Sequence, residues 1–424
     1  MPPVAPSPSS RSSASQPSRV CRACGSRLEV VFADLGNAPL SNSYLSELEL
    51  DTVEHFYPLR VFVCGECFLV QLEEFESAKA IFSDYAYFSS YSSSWLDHSR
   101  RYAERMIGEL GLGADSQVVE VASNDGYLLQ YFAAQGVPIL GIEPAVNVAK
   151  TAVERGIPTI VEFFGAASAT RLADQRQAEL IVANNVMAHV PDINDFIEGF
   201  RILLAPQGRV TGEFPHLARL IAEEQFDTIY HEHFSYFSLM TLRRIFNSHG
   251  LEIFDVERLA THGGSLRIHA GHASEHASVS PAVEEVLHEE RELDLDTLAP
   301  YQAFGEVCVA GKLDLLTFLI EAKRSGRSVA GYGAPAKANT LLNYCGVGPE
   351  LLPYTVDLNP HKQDRYLPGT HIPISAPDRI REERPDYVML LPWNIAGEIM
   401  EQLAFVRDWG GRFVMPRPRV EVIE

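Results

Sequence analysis

The sequence predicts an α/β protein: a small N-terminal cysteine module followed by two Rossmann-like, doubly wound units. Three observations predict it. Two Cys-x-x-Cys pairs stand near the N-terminus, and a strand–turn–helix–strand succession ending in an acid occurs twice, at 117–143 and again at 327–357. The implied divisions are a tail at 1–19, the cysteine module at 20–78, the first unit at 79–298 and the second at 299–424. The tail is Pro, Ser and Ala with two Arg and no apolar centre, so it reads as disordered and not as an export signal.

Composition narrows the function classes. At about 100–200 residues per domain, 424 residues allow two to four domains. A net charge of -21 repels nucleic acid and anionic membranes, and a phosphate ester would have to meet a locally positive exception. The chain has no run of about 18 apolar residues, so no membrane span is expected. The cytoplasm is the expected compartment, where disulfides are disfavoured.

Four of the six cysteines form the two pairs, Cys21-Arg-Ala-Cys24 and Cys64-Gly-Glu-Cys67. Two such knuckles set four thiolates at the corners of a tetrahedron, which suits Zn²⁺ at Zn–S distances of about 2.3 Å. Gly25 and Gly65 supply tight turns around the ion. Four protein ligands leave no open position, so the expected zinc is structural, one per chain. Two unrelated pairs of buried thiols is the blander alternative.

In the first unit, residues 83–94 concentrate three tyrosines among serines. Tyr87 and Tyr91 there either cover a polar ligand or anchor a surface loop. Apolar positions Trp95, Tyr102, Met106 and Leu110 recur at helical spacing. The β-branched run 117–122 then enters Ser123-Asn-Asp-Gly126 and a helix, and a second strand, 138–142, ends at Glu143, about 20 residues after the loop. A carboxylate there typically accepts from ribose hydroxyls. With Gly126 as its only glycine, the loop departs from G-x-G-x-x-G. Its acceptors suit the amino group and sulfonium of S-adenosylmethionine better than the two phosphates of NAD. Candidate cofactor contacts are Glu120, Ser123, Asn124, Asp125, Gly126, Glu143 and Asn147, joined by Asn184 and Asn185 at the end of the fourth strand.

His189 follows at that same sheet edge. Further on, Tyr230-His231-Glu232-His233 gathers four polar side chains. If extended, it puts Tyr230 and Glu232 on one face and His231 and His233 on the other. A histidine near its free pKa of about 6.5 takes a proton at neutral pH, and a carboxylate orients its ring. An ordinary polar strand is the competing reading.

The second unit repeats the theme with Gly331-Tyr-Gly333-Ala-Pro-Ala-Lys337. Backbone N–H groups at a helix start bind anions, and Lys337 and Lys362 supply the positive exception. Tyr332, Asp357, Asn359 and Asn394 lie on the same loops and complete the candidate substrate contacts.

These segments together resemble the sugar nucleotide C-methyltransferase family of antibiotic deoxysugar pathways. The carriers are the two cysteine pairs, Asp84-Tyr-Ala-Tyr-Phe-Ser-Ser-Tyr, Glu120-Val-Ala-Ser-Asn-Asp-Gly-Tyr, Gly141-Ile-Glu-Pro, Ala183-Asn-Asn-Val-Met-Ala-His-Val-Pro-Asp, Tyr230-His-Glu-His and Gly331-Tyr-Gly-Ala-Pro-Ala-Lys. The resemblance implies a class I S-adenosylmethionine-dependent methyltransferase fold in the first unit and a dTDP-sugar anchored by the second. It implies methyl transfer to a carbon beside a 4-keto group, usually C-3, with His233 as base and Tyr230, Glu232 and His189 beside it. The chemistry accords with that: an adjacent ketone acidifies the C–H, Glu232 orients His233, and Tyr230 or His189 hydrogen-bonds the enolate. Methylation at C-5, an O- or N-methyltransferase, an NAD-dependent sugar-nucleotide enzyme and a non-enzymatic scaffold remain as rivals, and the sequence leaves oligomeric state open.

Overall fold

The computed structural model describes residues 19–82, 89–91, 93–275 and 278–424. The expected tail up to residue 18 lies outside the described residues, as does Tyr87.

The central unit is a seven-stranded sheet. Its strands are Val118–Val121, Ile139–Ile142, Thr159–Ile160, Ala178–Val182, Leu204–Pro215, Leu251–Leu259 and Ser265–His272. Numbered along the chain, they lie side by side in the order 3-2-1-4-5-7-6. The first five are mutually parallel, and Ser265–His272 runs antiparallel to both its neighbours, Leu204–Pro215 and Leu251–Leu259. Val118–Val121 is buried at every position because helices cover both faces, as an inner parallel strand requires. The strand order reverses between Val118–Val121 and Ala178–Val182, so the Ser123–Gly126 and Asn184–Asn185 loops meet at the switch point, where such sheets bind ligands.

The C-terminal unit repeats the design. Its parallel strands Val329–Tyr332, Thr355–Val356, Pro373–Ser375, Tyr387–Leu390 and Arg412–Met415 lie in the order 3-2-1-4-5, with antiparallel Arg365–Tyr366 and Glu421–Ile423 at the edges. Here the switch point brings the Gly333–Lys337 loop to Trp393 and Asn394. Gly333 has φ +89° and a Cβ there would lie 2.6 Å from Pro392, so only glycine fits.

The cysteine module is less separate than its sequence suggests. Its strands Val30–Ala38, Tyr57–Val63 and Val70–Leu72 share a core with the second unit, where Phe32 stacks on Phe304 at 4.5 Å and joins Leu315, Leu319 and Leu341. A short strand from the central unit, Ser235–Tyr236, completes its sheet by pairing with Val70 and Gln71. The module therefore wedges between the two units.

One expectation is overturned. Residues 230–233 are not extended; they form a turn closed by the His233 N–H donating to the Tyr230 carbonyl at 2.9 Å. The neighbours impose it: Phe234 N–H is held by Ala188 O at 2.7 Å, and Leu72 N–H by Phe234 O at 3.0 Å.

Candidate active site

The four cysteine sulfurs lie within 4.8 Å of one another, with Cys21–Cys67 and Cys24–Cys64 each 3.5 Å apart. The edge of a Zn–S₄ tetrahedron is about 3.8 Å, so the cradle fits the ion. Gln71 Nε2 donates to Cys21 Sγ at 3.1 Å while its Oε1 accepts from the Arg22 N–H at 2.9 Å, a support that fixes the thiolate's direction. The knuckle is docked on the central unit: Asn194 donates to the carbonyls of Arg22 and Ala23, and Arg22 donates to Pro191 O at 3.0 Å.

A cavity of about 710 Å³ opens where the three parts meet, a size suited to small-molecule ligands. On the central side it is lined by Asn124, Glu143, Asn184 and Asn185, with Phe163 and Phe164 as apolar walls. Glu143 accepts from the N–H groups of Asn124 (2.9 Å) and Ala145 (2.8 Å), while burial raises its pKa. Asn185 has φ +53° and a buried Oδ1 without a partner among the described residues.

The other expected cofactor residues face elsewhere. Asp125 Oδ2 accepts from Arg155 at 2.9 Å and from Ser90, which turns the carboxylate behind the loop and away from the cavity lining. Ser123 Oγ is packed under Gly141, where a Cβ would lie 2.4 Å from it. Gly126 (φ +78°) faces Ile157, not the cavity. Glu120 is buried in the sheet and its pKa is raised well above the usual range by desolvation. Asn147 opens the helix Val146–Glu154 without lining the cavity.

The turn contributes Tyr230, Glu232 and His233, and His189 comes from the central sheet edge. The His233 Nδ1–H donates to Thr228 O at 3.0 Å and the His189 Nδ1–H to Glu232 O at 2.8 Å. A carbonyl only accepts, so each imidazole carries its proton on Nδ1 and presents a basic Nε2. The rings lie 4.8 Å apart, and Tyr230 stacks 4.1 Å from His233. Burial pushes the His189 pKa down to about 4; burial, then the neighbouring His189, holds His233 well below its ordinary value. Both are neutral at pH 7. His231 turns away to Pro58 O at 3.3 Å. The His233 ring is held by Thr228 O where the sequence suggested Glu232, whose carboxylate accepts from Asn42 at 2.6 Å.

From the second unit come Lys337, Asn359 and Lys362. Lys337 donates to Asn394 at 2.7 Å and sits 4.4 Å over the Trp393 ring, whose N–H donates to Asp227 at 2.6 Å. Burial lowers the Lys337 pKa to about 8, and Asp227 opposes that. Lys362 donates to Ala334 O at 2.9 Å beneath the Tyr44 ring. Asp357 accepts from the N–H groups of Ala334 and Asn359, so it shapes the loop from outside the cavity. Tyr332 is buried on the far side, 3.4 Å from Gln402 Oε1. Tyr91 lies in the turn Ser89–Tyr91.

Sequence reasoning missed Asn42 and Tyr44, which the cysteine module sends into the cavity, and His262, which also lines it. Only His262 had a local signal, the Gly263-Gly264 pair that follows it.

Sheet order and a ligand cavity at the switch point define a class I methyltransferase. Comparisons with known proteins agree. A zinc binding domain model (Methyltransf_13) matches residues 21–82, a methyltransferase domain model (Methyltransf_23) 95–256, and a C-methyltransferase C-terminal domain model (Methyltransf_14) 260–418. The chain is 36% identical over 404 residues to the C-methyltransferase NovU of Streptomyces niveus, covering 95% of this chain and 96% of that one. Among solved structures, the CcbJ methyltransferase of Streptomyces caelestis (15% identity, TM-score 0.33) covers 41% of this chain and 89% of its own. Magnesium protoporphyrin IX methyltransferase of Synechocystis (13%, TM-score 0.34) covers 41% and 82%. The chain belongs to the C-methyltransferase family. It is an S-adenosylmethionine-dependent enzyme with a zinc-binding module, and no described helix is long and apolar enough to cross a membrane.

The central cavity wall fits that cofactor: Glu143 would receive ribose hydroxyls, the orphaned Asn185 Oδ1 would accept an N–H, and Phe163 with Phe164 would give a planar base apolar surroundings.

Proposed function

We propose that the enzyme methylates carbon, most directly C-3, of a dTDP-linked 4-keto-deoxysugar in the cytoplasm. The observation that carries this reading is the pair of neutral imidazoles, His189 and His233, each with Nδ1 fixed by a carbonyl and Nε2 free. A hydroxyl or amine already carries a lone pair to attack with, whereas a C–H must first lose its proton to a base.

In this reading His233 Nε2 removes the proton beside the ketone. Thr228 O, not Glu232, holds the ring and stabilises the imidazolium that forms. Tyr230 donates its hydroxyl to the developing enolate oxygen; His189, whose one proton is committed to Glu232 O, can only accept there. Bound S-adenosylmethionine supplies an electrophilic methyl on a sulfonium. Glu143, Asn184 and Asn185 hold one ligand and Lys337 with Asn359 the other, so the chain's main contribution is to align two reactants. Lys337 is the cation for the diphosphate on an otherwise acidic surface, and Lys362 keeps its loop in place.

The test is mass spectrometry of a panel of dTDP-4-keto-6-deoxysugars incubated with protein and S-adenosylmethionine in H₂O and D₂O. One added methyl with loss of the C–H proton, located at C-3 by NMR, is expected. Methyl on C-5 would move the site of attack to the other flank of the ketone; methyl on oxygen or nitrogen would overturn the reading.

A further inference from the structure

We infer that His262 is a further catalytic residue, the neutral hydrogen-bond donor that polarises the sugar's keto oxygen; this rests on the reading just given. Four observations carry it. His262 lines the same cavity as His189 and His233. Its imidazole makes no hydrogen bond among the described residues, whereas His189 and His233 each have a nitrogen tied to a carbonyl. Its side chain is therefore open at both nitrogens toward whatever enters.

The backbone is committed to presenting it. His262 sits at φ 56°, ψ 22°, a left-handed conformation for a residue with a Cβ. Gly263 (φ +87°) and Gly264 (φ +107°) follow, and a Cβ on Gly263 would lie 2.6 Å from the Trp393 ring. The loop is thus pressed against the tryptophan that carries Lys337, and the His262 ring meets Trp95 edge-on at 5.5 Å. A strained side chain held out into a cavity with no internal partner is what a substrate contact requires.

Its charge state fits the role. The ring stands exposed in the cavity, and crowding by the cavity walls, then the nearby Lys337, lower its pKa, so it is neutral at pH 7. A neutral imidazole donates one N–H without adding a cation. That is how a neutral histidine polarises a carbonyl in enolising enzymes. As the C–H electron pair becomes the C=C bond and the C=O π pair moves onto oxygen, the proton goes to His233 and the oxygen gains the His262 hydrogen bond. The carbon then bonds the methyl as the C–S bond breaks.

Enolisation is read apart from methyl transfer by following deuterium wash-in at the sugar C–H in D₂O, with S-adenosylhomocysteine in place of the cofactor. His262→Gly keeps the left-handed backbone and removes the imidazole; His262→Asn tolerates that backbone and restores a donor. His262→Gly is expected to lower both wash-in and kcat by about 10²–10³, with KM and S-adenosylhomocysteine affinity little changed, and His262→Asn to recover about tenfold. His262→Asp, which also tolerates the left-handed backbone and offers no donor, repeats the deletion should the glycine variant not fold. A glycine variant within about threefold of wild type, or one that loses only KM, overturns the proposal while the functional reading stands. Absence of wash-in on every 4-keto-sugar by wild-type protein that binds S-adenosylhomocysteine overturns both.

Discussion

The two strand–loop–helix openings look alike in sequence and behave differently. In the central unit, the Ser123–Gly126 loop turns most of its polar side chains backwards, Asp125 to Arg155 and Ser123 under Gly141, and only Asn124, whose Oδ1 accepts from the Ser89 N–H at 2.9 Å, lines the cavity. The other cavity contacts there come from Glu143, Asn184 and Asn185 on neighbouring strands. In the C-terminal unit, the loop sends Lys337 into the cavity and neighbouring elements, Asn394 and Trp393, aim it. One loop is shaped by its side chains; the other delivers one. A strand-end motif locates a ligand site, but which of its side chains face the ligand depends on what lies behind it.

The largest effect expected is on the element that joins the units. The Cys64–Cys67 knuckle leads into Val70–Leu72, which pairs with the strand following the Tyr230–His233 turn, and Thr241 Oγ donates to Cys67 O at 3.0 Å. Cys64→Ser, or zinc removal by a chelator, should abolish stoichiometric zinc and activity together, and metal analysis beside an activity assay checks it. Full activity without zinc would separate the module from the site.

Next comes His233→Asn. It should cut kcat by about 10²–10⁴ while leaving S-adenosylmethionine affinity intact by calorimetry. Near-normal turnover would return the base to His189 or another group.

A smaller effect concerns pH. His189 and His233 have folded pKa values below the ordinary 6.5, so the unfolded chain binds more protons between those values. Their stability contribution is therefore complete above pH about 6.5 and is lost as pH falls toward 4. Thermal melts should show Tm dropping from pH 7 to pH 5, less so in His189→Asn; an unchanged slope in that variant would contradict the burial argument. The smallest is Asp125→Asn, expected to cost stability of about 0.5–1 kcal/mol by weakening an ion pair to the half-exposed Arg155, with catalysis per folded molecule preserved.

Much of this was legible in the sequence because the informative residues stand at strand ends and at fixed short spacings. The two cysteine pairs, Glu143, His189 and Lys337 all sit where local pattern put them. Three things were not legible. The Tyr230–His233 turn is set by strands far away in sequence, so period-two reasoning split residues that the fold stacks together. The aim of Glu232 was misread because its partner, Asn42, is 190 residues away. Tyr44, which donates to Ala334 O across 290 residues, shows why the cysteine module could not be known as part of the cavity.

The central claim is that one cavity takes the cofactor from the central unit and the nucleotide sugar from the C-terminal unit. Calorimetry of S-adenosylhomocysteine and of dTDP with Glu143→Ala and with Lys337→Met tests it most directly. The expected result is crossed: Glu143→Ala weakens the first ligand by about 10–100-fold and spares dTDP, and Lys337→Met does the reverse. Loss of S-adenosylhomocysteine binding in Lys337→Met with dTDP unaffected would contradict the division of the site between the two units.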